Sequence, residues 1–446
     1  MTIDRLPDVA LLEMFDFYQV KDWIEAWYKL VHVCREWRNV VFGSPRRLGL
    51  KLFCNARTPV RETLDVWPPL PIVIWVSYDE KWDNDNIIAA LEHSDRICEI
   101  SVSFIPGPQW ENVLEAMEQP FPALKFLQLA CEDKATPALP DSFLGGSAPS
   151  LEGLVLDHIP FPGLPKLLLS ATYLVHLQLS KIPHSGYISP PVMVACLSVL
   201  TRLESLLIEF ESPQSRPNRR RPSPQTRTLL PVLSSLWFQG VSEYLEDLVA
   251  RIDVPLLNDF SITFFHQLIF DTPQLDQFIN RRTPKFRAHD EAYMQFSYGR
   301  VSLKLPPNIV GELKLWLAIL CGQSDWQLSS LAQVCGTSFP QALVPAVERL
   351  YIIDEDMSEL DWQDDIESSQ WLELLYPFTG VKDFHIPGDF APRIAPVLRE
   401  LVEGRVTELL FPALETLFFK EAHPSAIEHF VAARQLAGHP VSVSRW

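Results

Sequence analysis

Ten short segments of the chain repeat one pattern, apolar-x-x-apolar-x-apolar. They are ICEISV from Ile97, LKFLQL from Leu124, LEGLVL from Leu151, LVHLQL from Leu174, LESLLI from Leu203, LSSLWF from Leu233 and LNDFSI from Leu257, then VERLYI from Val347, VKDFHI from Val381 and LETLFF from Leu414. Successive starts lie 23 to 30 residues apart in the first group and 33 to 34 apart in the second. Each segment suits a short strand whose fourth and sixth residues share one face while the fifth points away. A unit of this length is too small to bury its own apolar face, so the units must stack on their neighbours as a solenoid. The stretches Pro191–Leu200, Gln274–Ile279 and Ala391–Leu401 suit the helix or turn that returns the chain to the next strand. The predicted fold class is therefore α/β. Between Pro284 and Pro345 the phase is lost, although VGELKL from Val310 offers a further strand.

Apolar residues make up 47% and charged residues 21% of the 446, ordinary globular usage that excludes wholesale disorder. With 38 bases against 56 acids the net charge is −18, so no footprint for nucleic acid or an anionic membrane is expected. The longest apolar runs, around Leu70–Val76 and Leu315–Cys321, fall short of the ~20 residues of a membrane span. Asp4, Arg5 and Asp8 stand where a signal peptide needs an apolar core. The seven cysteines, Cys34, Cys54, Cys98, Cys131, Cys196, Cys321 and Cys335, are scattered without a CxxC pair and read as buried hydrophobes in a reducing compartment. The expectation is a soluble, intracellular protein, cytoplasmic or nuclear.

No GxSxG, GxxxxGK[ST], GxGxxG or HExxH motif occurs, and only 17 glycines argue against a phosphate-cradling loop. His423, His429 and His439 are the only local histidine group, and their spacing suits neither a helix-borne metal pair nor a zinc finger. The expectation is a binding protein with no enzyme activity, no cofactor and no metal.

The motif resembles the strand of a leucine-rich repeat. The Asn or Cys usual three residues after its sixth position is missing, the place being held by Glu132, Ile159, Ile182 and Glu211. An irregular solenoid is therefore expected over residues 95–446, with a connector and first cap over 49–94. Ser212–Arg227 interrupts the repeats with four prolines, five arginines and no acid, a composition that cannot pack as core and predicts a disordered loop at 212–227. Its RPNRRR string is open to three readings, a solvated disordered loop, a nuclear-localisation signal, or a contact with phosphate or nucleic acid. At the far end, Ser425 and Glu428 form a capping box before a helix through Leu436, with Gly438 as its stop and a last strand at Val441 and Val443.

Residues 1–42 read differently, as compact helices. Val9, Leu12 and Phe15 fall at helical spacing, and Trp23, Trp27, Leu30, Val31, Cys34, Trp37 and Val41 form a second stripe ended by Gly43-Ser44-Pro45. A piece this small cannot bury three tryptophans alone, so it must pack on the rest of the chain or on a partner. Leu6-Pro7-Asp8-Val9 followed by Leu11-Leu12-Glu13-Met14-Phe15 resembles the opening of an F-box, and Leu30, Val33-Cys34-Arg35, Trp37-Arg38 and Val40 resemble its closing helix. The match covers about residues 3–48, and the resemblance implies an F-box domain over 1–48. The chain as a whole, with its GSPRRLGLKLFC string and its FVAARQLAGHPVSVSRW tail, looks like the large F-box families of mushroom-forming fungi.

That resemblance implies a substrate-recognition subunit of an SCF-type cullin–RING ubiquitin ligase. The helical part would dock on the Skp-type adaptor through Leu6, Pro7, Val9, Leu12, Phe15, Leu30, Val33, Cys34 and Trp37, and the solenoid would bind an unknown protein substrate. The alternatives are that these residues merely cap the solenoid, and that the chain is a leucine-rich-repeat scaffold unconnected with ubiquitin.

If fifth positions align across strands, they form a row of Ser101, Gln128, Val155, Gln178, Leu207, Trp237 and Ser261, resuming at Tyr351, His385 and Phe418. Gln128, Gln178, Trp237, Tyr351, His385 and Phe418 are the expected substrate contacts, unless other segments cover them as ordinary core. Over residues 350–403 there are 13 acids and 3 bases; the dense part, Asp354–Glu367, is a solvated loop, a docking surface for a basic partner, or a cation site, although it lacks the glycine and ligand spacing of an EF-hand loop.

Overall fold

The computed structural model describes residues 6–18, 30, 32–43, 50–57, 59–66, 69–76, 83–103, 107–131, 138–214, 216, 226–281, 290–307, 313–322, 324–338, 343–354, 368–390, 394, 397, 410–419, 425–436 and 438–445. The chain divides into two compact units, Met1–Ile188 with Cys196–Leu203, and Ser189–Ala195 with Glu204–Trp446.

The first unit opens with helices α1 (Asp8–Tyr18) and α2 (Arg35–Gly43). The single stripe expected through Cys34 is interrupted. The Cys34 carbonyl accepts the Arg38 N–H at 3.1 Å and its sulfur accepts the Trp37 N–H at 3.4 Å, so Cys34 caps a helix that begins afresh at Arg35. The end at Gly43 is as expected; Trp23 and Trp27 lie outside the described residues.

Six strands follow in this unit: β1 (Leu50–Phe53), β2 (Ile72–Val76), β3 (Ile97–Ser103), β4 (Phe126–Ala130), β5 (Gly153–Asp157) and β6 (His176–Ile182). Each pairs in parallel with the next, and helices such as α3 (Val60–Val66), α4 (Asn84–Leu91), α5 (Gly107–Ala116) and α6 (Leu164–Ser170) lie between them in sequence. Parallel neighbours require such a crossover, which is why each repeat needs more than twenty residues. Helix starts are secured locally: the Asp83 carboxylate accepts the Asn86 N–H at 3.0 Å at the head of α4. The strand series starts at Leu50, ahead of the first motif at Ile97.

Helix α7 (Pro190–Leu197) matches the expected return segment there. The second unit adds β7 (Ser205–Phe210), a short parallel pair of β8 (Thr228–Leu229) with β10 (Ile252–Asp253), then β9 (Ser235–Gly240) and β11 (Asp259–Phe265). Helix α8 (Ser242–Val249) follows β9 and α9 (Pro273–Asn280) follows β11; Glu246 of α8 accepts the Gln274 and Leu275 N–H groups at 2.9 and 2.7 Å, capping α9 from outside. Next come β12 (Glu291–Ser297), β13 (Arg300–Leu305) and β14 (Lys314–Leu320), helix α10 (Ser324–Ser338), β15 (Arg349–Asp354), α11 (Ser368–Leu375), β16 (Asp383–Ile386), β17 (Thr416–Phe419), α12 (Ser425–Leu436) and β18 (Ser442–Arg445). The strand order in this unit is β7-β9-β11-β14-β13-β12-β15-β16-β17-β18.

Thus the parallel run is broken once. β12 and β13 form an antiparallel hairpin about Tyr298-Gly299, with Gly299 at φ 75, and β13 pairs antiparallel with β14. This corrects the phase of VGELKL. In register with Phe260 and Ile262, the inward residues of the repeat are Leu315 and Leu317, and the residue between them is Trp316.

The core follows the motif closely. First, fourth and sixth positions are buried in all ten segments, from Ile97, Ile100 and Val102 to Leu414, Leu417 and Phe419. Where a regular repeat would carry its polar ladder, Ile159 and Ile182 are buried. Their preceding residues, His158 and Lys181, take positive φ of 60 and 46, turning each apolar side chain inward. Between described strands the second position carries the hydrogen-bond chain. Lys125 O accepts from Glu152 and Gly153, and Glu152 O accepts from Val175 and His176. Of the charged insert at 212–227, residues 215 and 217–225 lie outside the described set, as do 355–367 of the acidic tract and most of Ala391–Leu401. At the C-terminus the expected helix spans Ser425–Leu436, its glycine stop Gly438 has φ 82, and the last strand, Ser442–Arg445, takes in Val443 but begins one residue after Val441; the Ser425 side chain of the expected capping box lies outside the described residues.

Candidate protein-interaction surfaces

Helices α1 and α2 close on one another through Phe15 and Trp37, ring centroids 4.8 Å apart. Of the nine residues drawn from the F-box resemblance, Leu12, Phe15 and Leu30 are buried within the chain and Trp37 is partly buried. Leu6, Pro7, Val9, Val33 and Cys34 face solvent, Val9 at 66% and Val33 at 58% exposure. Met14, which the motif reading passed over, is exposed as well. A cleft of about 470 Å³ lined by Asp8, Arg35, Glu36, Asn39, Val40 and Gly43 runs where the two helices begin and end.

The fifth positions do align into rows, on the face of the sheet opposite the buried fourth and sixth positions. In the first unit the register joins Phe53, Trp75, Ser101, Gln128, Val155 and Gln178. Gln178 is exposed, Gln128 and Val155 are half-buried, and Ser101 is buried. Trp75 is exposed, with the Lys51 ammonium 3.9 Å from its ring centroid. IVIWV lacks the motif spacing, which hid Trp75 from the sequence reading.

In the second unit the row runs Leu207, Trp237, Ser261, Trp316, Lys304, Tyr293, Tyr351, His385, Phe418 and Ser444. Trp237 is 43% exposed, Tyr351 and Phe418 are half-buried, and His385 is 8% exposed. Four rings stack in sequence: Tyr293 on Tyr351 at 4.7 Å, Tyr351 on His385 at 4.1 Å, and His385 on Phe418 at 4.2 Å. Strands about 4.8 Å apart place in-register rings face to face, so stacking follows from register alone. His385 is thus walled by its neighbours, while Trp237, Tyr351 and Phe418 keep an outer edge.

Electrostatics tie this row to the one beside it. Glu291 accepts the Tyr293 hydroxyl at 2.6 Å and pairs with Arg349 at 2.9 Å. Burial, with that hydrogen bond adding to it, pushes the Tyr293 hydroxyl up to about 12. Burial between two rings lowers the pKa of His385, against the pull of Asp383 and Glu291. The rings therefore stand as neutral groups near pH 7. Tyr293, Lys304 and Trp316 were missed from sequence because the antiparallel insert breaks the motif. The alternation of EAYMQFS, RVSLKL and KLWLAIL is the signal that marks them.

Among the described residues no group of three or more His, Cys, Asp or Glu side chains is placed to hold a metal, and no helix is long and apolar enough to cross a membrane. No protein-family model matches the chain. Nor does any curated protein match it. Among solved structures, the leucine-rich repeat-containing protein LegL7 from Legionella pneumophila matches with 13% identity, over 88% of this chain and 98% of that one, at a TM-score of 0.27. An overlap of that quality decides nothing about function.

Proposed function

We propose that the chain is a protein-interaction scaffold of stacked strand–helix repeats, and more specifically the substrate-recognition subunit of an SCF-type cullin–RING ubiquitin ligase. On this reading the chain carries no chemistry of its own and works in the cytoplasm or nucleus. The observation that supports the adaptor half is the set of apolar side chains left exposed on and beside the helical pair. Leu6, Val9, Met14 and Val33 stay exposed although α1 and α2 already have a closed core in Leu12, Phe15 and Leu30. Apolar side chains left exposed on and beside so small a helical pair fit a partner groove. The open sheet row, with Trp237 exposed between Leu207 and Ser261, is the surface proposed to hold the target.

The test is calorimetric titration of the full chain with a purified Skp-type adaptor. Binding is expected, and Leu6→Ala/Pro7→Ala should weaken it by roughly 2–4 kcal/mol, the usual cost of truncating interface anchors. Both residues are exposed, so the variant should keep its fold, checked by circular dichroism. No heat of binding to folded wild type would remove the ligase reading. A second reading, a scaffold unconnected with ubiquitin, draws on Leu12, Phe15 and Leu30, which face the chain's own interior as a cap would require.

A further inference from the structure

Beyond the C-terminal ends of β11, β12 and β14, three loops of the second unit meet. The His266 N–H donates to the Leu320 carbonyl oxygen at 3.1 Å, and the Cys321 N–H to that of Gly299 at 2.9 Å. Helix α10 ties into them. The Gln327 amide donates to the Ser297 and Cys321 carbonyl oxygens at 3.1 and 2.8 Å, and the Gln333 side-chain oxygen accepts the Phe270 N–H at 2.8 Å. Trp326, in the first turn of that helix, stacks on His266 with ring centroids 4.8 Å apart. On this hydrogen-bonded base stand Leu268, Ile269, Tyr298 and Trp326, each between 52 and 85% exposed. Core burial in the same segments falls to Phe270 and Leu328 instead. The described side chains next to the four in sequence, Gln267, Phe270, Ser297 and Gln327, carry no charge; the side chain of Asp325 lies outside the described residues. One residue further out stand Asp271 and Arg300, one of each sign.

We infer that this apolar end docks a second copy of the chain, in a two-fold contact that sets Leu268, Ile269, Tyr298 and Trp326 against the same four residues of the other copy. The contact goes beyond the scaffold reading and does not depend on it. Area argues first. A whole aromatic side chain has roughly 150–250 Å² to bury and an aliphatic one somewhat less, so these exposures leave about 450 Å² of apolar surface. That matches the largest apolar patch of an ordinary monomer, a size that commonly carries a function. Covered on both copies it gives about 900 Å², and the half-buried Phe265 and His266 beside it bring the contact to the ~1,000 Å² that a specific interface needs. Composition argues next. Interface cores are depleted in charge and enriched in Trp and Tyr. A surface that faces itself is under a stricter demand, because across a two-fold axis a charge near the centre meets its own image. A chain of net charge −18 meets its copy at least cost where such images are absent.

The experiment is sedimentation-velocity ultracentrifugation of the full chain from about 1 to 100 μM, at roughly 50 and 300 mM salt. Conversion from the mass of one chain to that of two is expected, with a dissociation constant on the order of 10 μM for a contact of this size. Salt should tighten the dimer, since it screens the mutual repulsion of two −18 chains and leaves the apolar contact in place. Leu268→Ser/Tyr298→Ser should weaken it at least about tenfold; both side chains are exposed, so the fold, checked by circular dichroism, is kept. Ile269→Asp is a second disrupting variant should the first misfold. Leu256→Ser, also exposed but at the opposite end of β11, should leave the dimer unchanged. A monomer at every concentration, a dimer untouched by both patch variants, equal loss in Leu256→Ser, or weakening by salt would overturn the inference. A monomer that instead floats with phosphatidylcholine vesicles, or pairs with another protein through these residues, would assign the end to that ligand and reject the second copy. The adaptor titration stands apart, since its success or failure leaves each of these outcomes readable.

Discussion

The alternation along β6 can be tested with two neighbouring residues. Leu179 is 2% exposed and lines a void of about 10 Å³ together with Leu156, Ile159, Phe161, Leu164 and Ile182. Leu179→Ala removes three carbons from walls supplied by β5, β6 and α6, none of which can move inward without breaking its own pairing. Leu-to-Ala changes of this kind cost about 2.7–5 kcal/mol, rising with the cavity left behind, and a site with rigid walls belongs at about 3–4 kcal/mol. Gln178, next to it, is exposed and its amide reaches only the Ser180 hydroxyl at 3.1 Å, so Gln178→Ala should cost about 0.5 kcal/mol or less. Hydrogen–deuterium exchange read on peptides covering β5 and β6 separates the two without assuming that 446 residues unfold together. At 1.36 kcal/mol per factor of ten, Leu179→Ala should speed exchange by about 150-fold or more and Gln178→Ala by about twofold. Equal acceleration in both variants, or none in either, would refute the placement of the fifth position outside the core.

His385 has a lowered pKa, so the folded state prefers it neutral, and stability present above the unfolded value near 6.5 should be lost as pH falls through the folded one. His385→Phe keeps a ring between Tyr351 and Phe418 and should show a smaller drop in melting temperature between pH 7 and pH 5; an identical drop would rule out His385 as a source of it. Gly380 lies so close to the Pro345 carbonyl oxygen that an added Cβ would collide with backbone there. Gly380→Ala should therefore destabilise the second unit by about 1–3 kcal/mol, read as a melting temperature lower by about 3–8 °C, and an unchanged midpoint would show that the contact relaxes freely.

How far these features are visible in the sequence depends on which physical rule each segment obeys. The ten motif segments are legible because one demand, burying three side chains per repeat on a parallel strand, fixes the spacing. Leu203, Leu206 and Ile208 could be assigned to the core from their positions alone. β1 and β2 satisfy the same pairing with LKLF, too short to show a period, and IVIWV, a continuous apolar run that any buried strand or helix could show. At the N-terminus a helical stripe marks which residues are apolar but not which side has a partner. Leu12 and Val9 therefore looked equivalent, though one is buried and the other is 66% exposed.

The antiparallel insert shows why local rules fail where a surface becomes distinctive. A hairpin needs no crossover helix, so β12, β13 and β14 lose the long period that marks every other repeat and keep only a period of two. In exchange, the insert adds two strands to the row and brings Lys304 and Tyr293 between Trp316 and Tyr351. Without those strands the row would carry only motif fifth positions, of which Ser261 is the nearest on one side and Tyr351 on the other. The aromatic stack beginning at Tyr293 and the cations of Arg300 and Lys304 over Trp316 are therefore consequences of one departure from the repeat. Departures from a sequence's own pattern tend to mark functional positions, because a repeat under selection for stacking alone would have no reason to make them. That argument assigns the most distinctive chemistry of the open face to the segment that sequence periodicity reads least well.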